Sequence, residues 1–224
     1  MNVTFLGQAG LLFNKNGFLI MVDPYLSDSV EKTNPQCFRR AAIDPDYLRV
    51  QPNVMIFTHS HPDHYDPETV KNYIHANSSV LVLAPQSVWD KVRKLQGNNN
   101  YVLFNRHTTW TENGIRFTAV KAEHSDGSPI GVIIDDGENK FYITGDTLYN
   151  DEIFQDIPDD IYALFLPING RGNNMNMTDA ARFAKRINPR KTVPIHTGMF
   201  DEFSAEEFEC ANKVVAEIYK EIAL

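Results

Sequence analysis

Short apolar runs at positions 3–6, 11–13 and 18–22 are separated by polar or glycine-containing turns, and NKNG between the last two supplies Asn and Gly for a tight hairpin. The chain is therefore expected to open as a β-meander. A polar loop should follow from Asp23 to about Pro45, then a buried strand at 54–57. The segment DPETVKNYIHA places Asp66 as an N-cap and Pro67 at the first helical position, which predicts a helix after the short loop that follows that strand. Strand, helix and strand are expected at 80–83, 85–96 and 101–104, with GNNN as the turn before the last. From Thr108 the alternation returns to strands at 115–120, 130–134 and 141–144, joined through TENG and DDGENK. A strand at 161–166, a helix at 178–187 and a strand at 192–195 complete the pattern. Ser204 and Glu207 then read as a capping box opening a C-terminal helix. Two halves, each running from hairpins into βα units, predict an α/β (α+β) chain of two packed sheets with helices outside, a four-layer αββα sandwich.

Composition narrows the function. The 224 residues are 42% hydrophobic, enough for one domain spanning 1–224. A net charge of -8 and the lack of any basic run argue against a nucleic-acid or anionic-membrane surface. The first residues lack a basic segment before an apolar stretch, so the expected location is the cytoplasm. Cys37 and Cys210 suggest neither a disulfide framework nor a thiolate metal site. The expected partner is a small-molecule substrate, and oligomeric state is left open.

The stretch FTHSHPDHYD gathers His59, His61, Asp63 and His64 directly after a buried strand. Neutral imidazole and carboxylate are nitrogen and oxygen donors for a divalent ion. On an extended segment, residues 59 and 61 point the same way, whereas Asp63 and His64 lie beyond the Pro62 turn and face elsewhere. One loop can thus serve two ions.

This motif resembles the HxHxDH signature of the metallo-β-lactamase superfamily. The resemblance implies later ligands, and AVKAEHSDG, FYITGDTLY and TVPIHTGMF supply His124, Asp146 and His196, each after an expected strand. Taken singly, each reads equally well as a polar turn residue; their order and strand-end placement bring them together. By that resemblance His59, His61 and His124 hold one ion, Asp63, His64 and His196 a second, and Asp146 bridges them. The cofactor is then two divalent ions, zinc, manganese or iron. Such a pair supplies hydroxide at neutral pH, with Asp63 and Asp146 as catalytic residues and Asp63 the candidate proton acceptor. Asp23, in IMVDPYLS, matches an early family aspartate and reads as a group orienting the ligand loop. The superfamily's flavin-partnered diiron members carry Glu at the position of His61, so their chemistry is disfavoured. His75 and His107 lack strand-end placement and are left out.

VDPYLSD, THSHPDHYDP and the long stretch from LPINGRGNN to HTGMF look like the L-ascorbate-6-phosphate lactonase branch. The implied activity is hydrolysis of a small ester or lactone, including sugar-acid lactones. Asn169, Arg171 and Asn173 are the candidate substrate-binding residues, since amides and a guanidinium suit carboxylate, lactone or phosphate oxygens. A small-molecule phosphodiesterase or nuclease-type hydrolase and a non-catalytic metal-binding sensor are the alternatives.

Overall fold

Most strands of this chain are apolar at consecutive positions, which demands cover on both faces. Val3, Leu11, Phe13, Ile20, Val22, Val54 and Ile56 point into one core, whereas Leu6, Leu12, Met21 and Met55 point into another on the opposite face. The computed structural model describes residues 1–224. Its elements are β1 (Asn2–Gly7), β2 (Gly10–Lys15), β3 (Phe18–Val22), α1 (Ser29–Thr33), β4 (Val54–Ile56), α2 (Pro67–Val70), β5 (Leu81–Ala84), α3 (Gln86–Val92) and β6 (Asn100–Leu103) in the first half. The second half holds β7 (Thr109–Glu112), β8 (Ile115–Lys121), β9 (Ile130–Asp135), β10 (Lys140–Ile143), β11 (Ile161–Pro167), α4 (Met177–Ile187) and β12 (Lys191–Ile195).

Two six-stranded sheets result, ordered β1-β2-β3-β4-β5-β6 and β12-β11-β10-β9-β8-β7. Each is antiparallel where hairpins join the strands and parallel where helices cross over. The largest apolar cluster lies between the sheets. Phe13 sits at its centre, edge-on to Phe141 at 5.6 Å and to Phe165 at 5.9 Å. A second cluster fills the space under α2 and α3, where Val70, Val88 and Val92 meet Met55 and Val82. A third lies under α4, whose Ala180, Phe183 and Ala184 share one helical face. Helix, sheet, sheet and helix form the four expected layers, with no helix long and apolar enough to cross a membrane.

Local chemistry trims several elements. The Asp66 carboxylate caps α2 by accepting from the Glu68 and Thr69 amides. The helix stops after one turn, where the Asn72 side chain donates to the carbonyls of Glu68 and Thr69. α3 covers only part of the expected 85–96, and α1 interrupts the expected loop after Asp23.

The C-terminal helix is absent. Only a 3-10 turn spans Ala205–Glu207, and the Ser204 hydroxyl accepts from Glu206, not Glu207. Phe208 is buried beneath the turn, and the following segment runs along two sheet edges. On β12, Thr192 donates to the Asn212 carbonyl and accepts from Val214; on β1, Tyr219 and Ile222 donate to Phe5 and Val3. Backbone groups on two open edges need partners, and supplying them stabilises this segment more than a short helix would.

Candidate metal centre

β1 is antiparallel to β2 and β2 to β3, so β1 and β3 run the same way; the same holds for β8 and β10. The C-terminal ends of β1, β3, β4, β8, β10, β11 and β12 therefore meet on one rim. From it project Gln8, Asp23, the 59–64 loop, His124, Asp146, the 169–174 loop and His196. At this rim, beside Thr58 of the other sheet's β4 end, Gly145 adopts a φ of +61°. A Cβ there would lie 2.8 Å from both the Thr58 Cβ and the Ile130 carbonyl, so the residue before Asp146 has no room for a side chain.

Three groups of donor atoms converge: His59, His61 and His124; His59, His64 and Asp146; and Asp63, His64 and His196. The first three imidazoles form a nearly equilateral triangle, with ring centres 4.7, 4.7 and 4.8 Å apart. Asp146 lies between the sets: its Oδ1 is 3.2 Å from His64 Nε2, and its Oδ2 is 3.3 Å from His196 Nε2 and 3.8 Å from His124 Nε2. The structure thus brings all seven expected ligands together. His107 lies elsewhere, on Asp156 at 3.2 Å, and His75 sits in a turn with Ser78.

Which nitrogen each ring offers follows from what holds the other. His64 Nδ1 is 2.8 Å from the buried Asp23 carboxylate, His59 Nδ1 is 3.1 Å from Thr58 Oγ1, and His124 Nδ1 is 3.2 Å from the Asn173 carbonyl. His196 Nδ1 faces the Asn169 carboxamide at 2.9 Å, and a half-turn that brings the amide oxygen to Nδ1 lets Nδ1 carry the proton and leaves Nε2 free. Four rings therefore turn Nε2 inward. His61 is the exception, presenting Nδ1 at 3.1 Å from His124 Nε2. Partners on the far nitrogen fix tautomer and ring angle in metal-binding histidines. The Nε2 of His59 is buried with no hydrogen-bond partner, which costs about 1–3 kcal/mol unless a cation takes the lone pair, and that of His64 has only the Asp146 carboxylate, 3.2 Å away. The donor set fits divalent ions.

Charge in the cluster is finely opposed. Burial works against a charge on His64, but Asp146, Asp63 and Asp23 outweigh it and hold the imidazole well above its usual range. Burial likewise opposes charge on His196, yet Asp146 and Asp63 raise it to about 10. Burial would lift Asp63 and Asp146, but the His64 and His196 charges keep both carboxyls below the ordinary carboxylate range. Burial pushes His59 well down, helped by the charge on His64, and burial also lowers His124.

Several residues at the centre carried no chemical signal in the sequence. Gln8 donates to Asp63 Oδ2 at 2.8 Å. Asn174 donates to Asp146 Oδ2 at 2.8 Å while accepting from the Thr147 amide. The Asp126 carboxylate accepts from the Ser60 amide and hydroxyl and from the Ser128 amide, tying the loop between His59 and His61 to the loop after His124. Of the three expected substrate residues, Asn169 and Asn173 are engaged with ligand histidines as described. Arg171 has its guanidinium over the Phe203 ring at 5.2 Å. A cavity of about 330 Å³ opens beside the cluster, lined by His61, Asp63, Asp146, His196, Ser125 and residues of the 169–174 loop, with no hydrophobic side chain. A groove of about 350 Å³ between α4 and residues 209–212 shares no residue with it.

The description "Beta-lactamase superfamily domain" belongs to the family model that matches residues 19–197. A UPF0173 metal-dependent hydrolase of Carboxydothermus hydrogenoformans is 27% identical over 222 residues, covering 95% of this chain and 92% of the relative. Another, of Methanopyrus kandleri, is 29% identical over 224 residues, covering 93% and 90%. The solved structure of Igni18, a metallo hydrolase of Ignicoccus hospitalis, matches with a TM-score of 0.75 at 21% identity, over 98% of this chain and 96% of that one. With its fold shared and the family model spanning its centre from the β3 strand to the residue after His196, the chain belongs to the metallo-β-lactamase superfamily.

Proposed function

We propose that the chain is a metal-dependent hydrolase that uses two divalent ions, zinc, manganese or iron, to cleave a small polar ester or lactone. The observation that carries this reading is the all-polar cavity of about 330 Å³ opening onto Asp63, Asp146 and His196. Its lining suits hydroxyl, lactone and carboxylate oxygens and offers nothing to an apolar acyl chain. That favours the lactonase branch, with a sugar-acid lactone as first candidate. His59, His61 and His124 would hold one ion and Asp63, His64 and His196 the other, with Asp146 between. Bound there, the ions supply an activated water and polarise the oxygen under attack.

The chain's own residues supply the rest. Asp63 reaches the cavity and is the proton acceptor. Asn174 holds Asp146 in place through its Oδ2. Arg171, steadied against Phe203, orients an anionic or carbonyl oxygen of the substrate. A small phosphodiester fits the same polar lining, and a panel of lactones, esters and phosphodiesters assayed with zinc, manganese and iron(II) separates the readings. Elemental analysis should find close to two ions per chain, and His61→Ala should abolish turnover. A protein that takes up no metal under metal-replete conditions, or an active His61→Ala variant, sinks the proposal.

A further inference from the structure

Gln8 sits in the turn between β1 and β2 with a left-handed φ of +54° and is 2% exposed. A non-glycine residue in that region carries about 1–3 kcal/mol of strain, so its surroundings must hold it there. Part of that hold is mutual: the Gln8 carbonyl accepts the His196 amide at 2.7 Å, and His196 is itself left-handed at +59°. The Gln8 carboxamide nitrogen lies 3.0 and 3.3 Å from the two His196 ring nitrogens, which places it over the ring face and leaves the in-plane lone pair at Nε2 untouched. It donates to Asp63 Oδ2 at 2.8 Å. A carboxylate only accepts, so the NH2 end of the amide is the end that faces it. One turn residue thus grips two members of the Asp63, His64 and His196 set, His196 through its backbone and Asp63 through its side chain.

The grip falls on one oxygen of Asp63. Oδ2 takes the Gln8 bond and stands 3.2 Å from His196 Nε2 and 3.8 Å from His64 Nε2. Those spacings are near the roughly 3.0–3.4 Å that separates donors sharing an ion at about 2.1 Å. Oδ1 makes no hydrogen bond and is not buried, on a side chain that lines the cavity and is 18% exposed. An unrestrained carboxylate turns about its Cβ–Cγ bond, a broad two-fold torsion, and so exchanges its oxygens or gives both to the ion.

We propose that Gln8 is a positioning residue: its N–H holds Asp63 Oδ2 on the second ion, the one assigned to Asp63, His64 and His196, and keeps Oδ1 turned to the cavity as the proton acceptor. This rests on the two-ion reading above. Gln8 does not line the cavity, so its effect on turnover runs through Asp63. Removing the donor should therefore leave two ions bound and lower turnover without weakening the hold on substrate.

The test compares the wild-type protein with Gln8→Leu, which matches the bulk without branching at Cβ and removes the donor, and with Gln8→Glu, which sets a second carboxylate against Asp63. Ions per chain are counted by elemental analysis after zinc loading, affinities come from chelator competition, and cobalt-loaded protein reports coordination by its visible spectrum. Values of kcat and KM are measured on the lactone that the wild-type protein turns over fastest. Gln8→Leu should bind two ions, show a changed cobalt spectrum and lose about 10–100-fold in kcat with KM unchanged. Gln8→Glu should lose at least as much kcat and hold the second ion about 10-fold less tightly, with the first unchanged. A Gln8→Leu protein with wild-type kcat and cobalt spectrum overturns the proposal, as does one whose loss lies in KM alone. So does a Gln8→Glu protein that binds its second ion as tightly as wild type or more tightly. Each of these results leaves the two-ion reading intact, whereas wild-type protein that never takes a second ion overturns both. Should Gln8→Leu fail to fold, or no lactone be turned over, the second-ion affinity and cobalt spectrum of Gln8→Glu decide.

Discussion

Replacing Asp23 by Asn changes one group and reverses one hydrogen bond. The buried carboxylate accepts from three donors: the Thr58 amide at 2.8 Å through Oδ1, and the Thr58 hydroxyl at 2.5 Å and His64 Nδ1 at 2.8 Å through Oδ2. Asn keeps the shape and tolerates the φ of +43° at this position, but it has one acceptor where Asp has two. If its NH2 faces His64, the ring must accept at Nδ1 and carry its proton on Nε2, where the ion would bind. If its NH2 faces the Thr58 amide instead, two buried donors oppose each other at a cost of about 1–3 kcal/mol. At 1.4 kcal/mol per factor of ten, that weakens the ion on His64 by about 5–150-fold. The ion on His59 is touched only indirectly, through Thr58 Oγ1, and should lose less. Chelator competition with zinc, read as two successive affinities, measures both. A variant that binds its second ion with wild-type affinity and melts at the wild-type temperature would refute this account of Asp23.

Further outcomes follow from the same geometry. In metal-free protein, His64 and His196 are raised and stay protonated well above pH 6.5, so stability from them is present below about pH 6.5 and lost as pH rises toward 10. His59 and His124 are lowered and resist protonation, so stability falls again below about pH 6.5. Chelator-treated protein should therefore melt highest near pH 6.5, whereas metal-loaded protein, with its protons displaced, should keep its stability toward pH 9; a flat profile without metal contradicts the assignment. Asp126→Ala, which frees Ser60 between His59 and His61, should weaken the first ion about 10-fold in chelator competition while the protein stays folded. Phe13→Ala removes the ring that both Phe141 and Phe165 contact, and should cost about 3–5 kcal/mol in denaturant unfolding with no change in ion count.

The sequence disclosed those parts of the centre whose chemistry is local. His59, His61, Asp63 and His64 stand out because four donors share one loop, and His124, Asp146 and His196 because each follows a strand that the apolar pattern marks. Gln8 was hidden because an amide between glycines reads as a turn; only the fold brings β1 beside the loop of β12. Asn174 could not be told from Asn169, Asn173 and Asn176 in one asparagine-rich stretch, although it alone donates to Asp146. The error over the C-terminal helix has a different origin. Ser204 and Glu207 are a sound local signal, but unpaired backbone on β1 and β12 lies far away in sequence and overrides it.

That C-terminal segment also sets the order of events in folding. Because residues 212–222 bond to β12 at one end and β1 at the other, they have nothing to dock on until both sheets exist. Their docking is therefore a late step joining the most distant parts of the chain, the kind of contact that slows folding. β1 is made about 200 residues before the segment that pairs with its outer edge, roughly 10–40 s earlier at ordinary rates of synthesis. For that interval the nascent protein carries an open strand that neighbouring chains can pair with, so aggregation during expression should respond to translation speed and to substitutions in this segment more than to changes at the metal ligands.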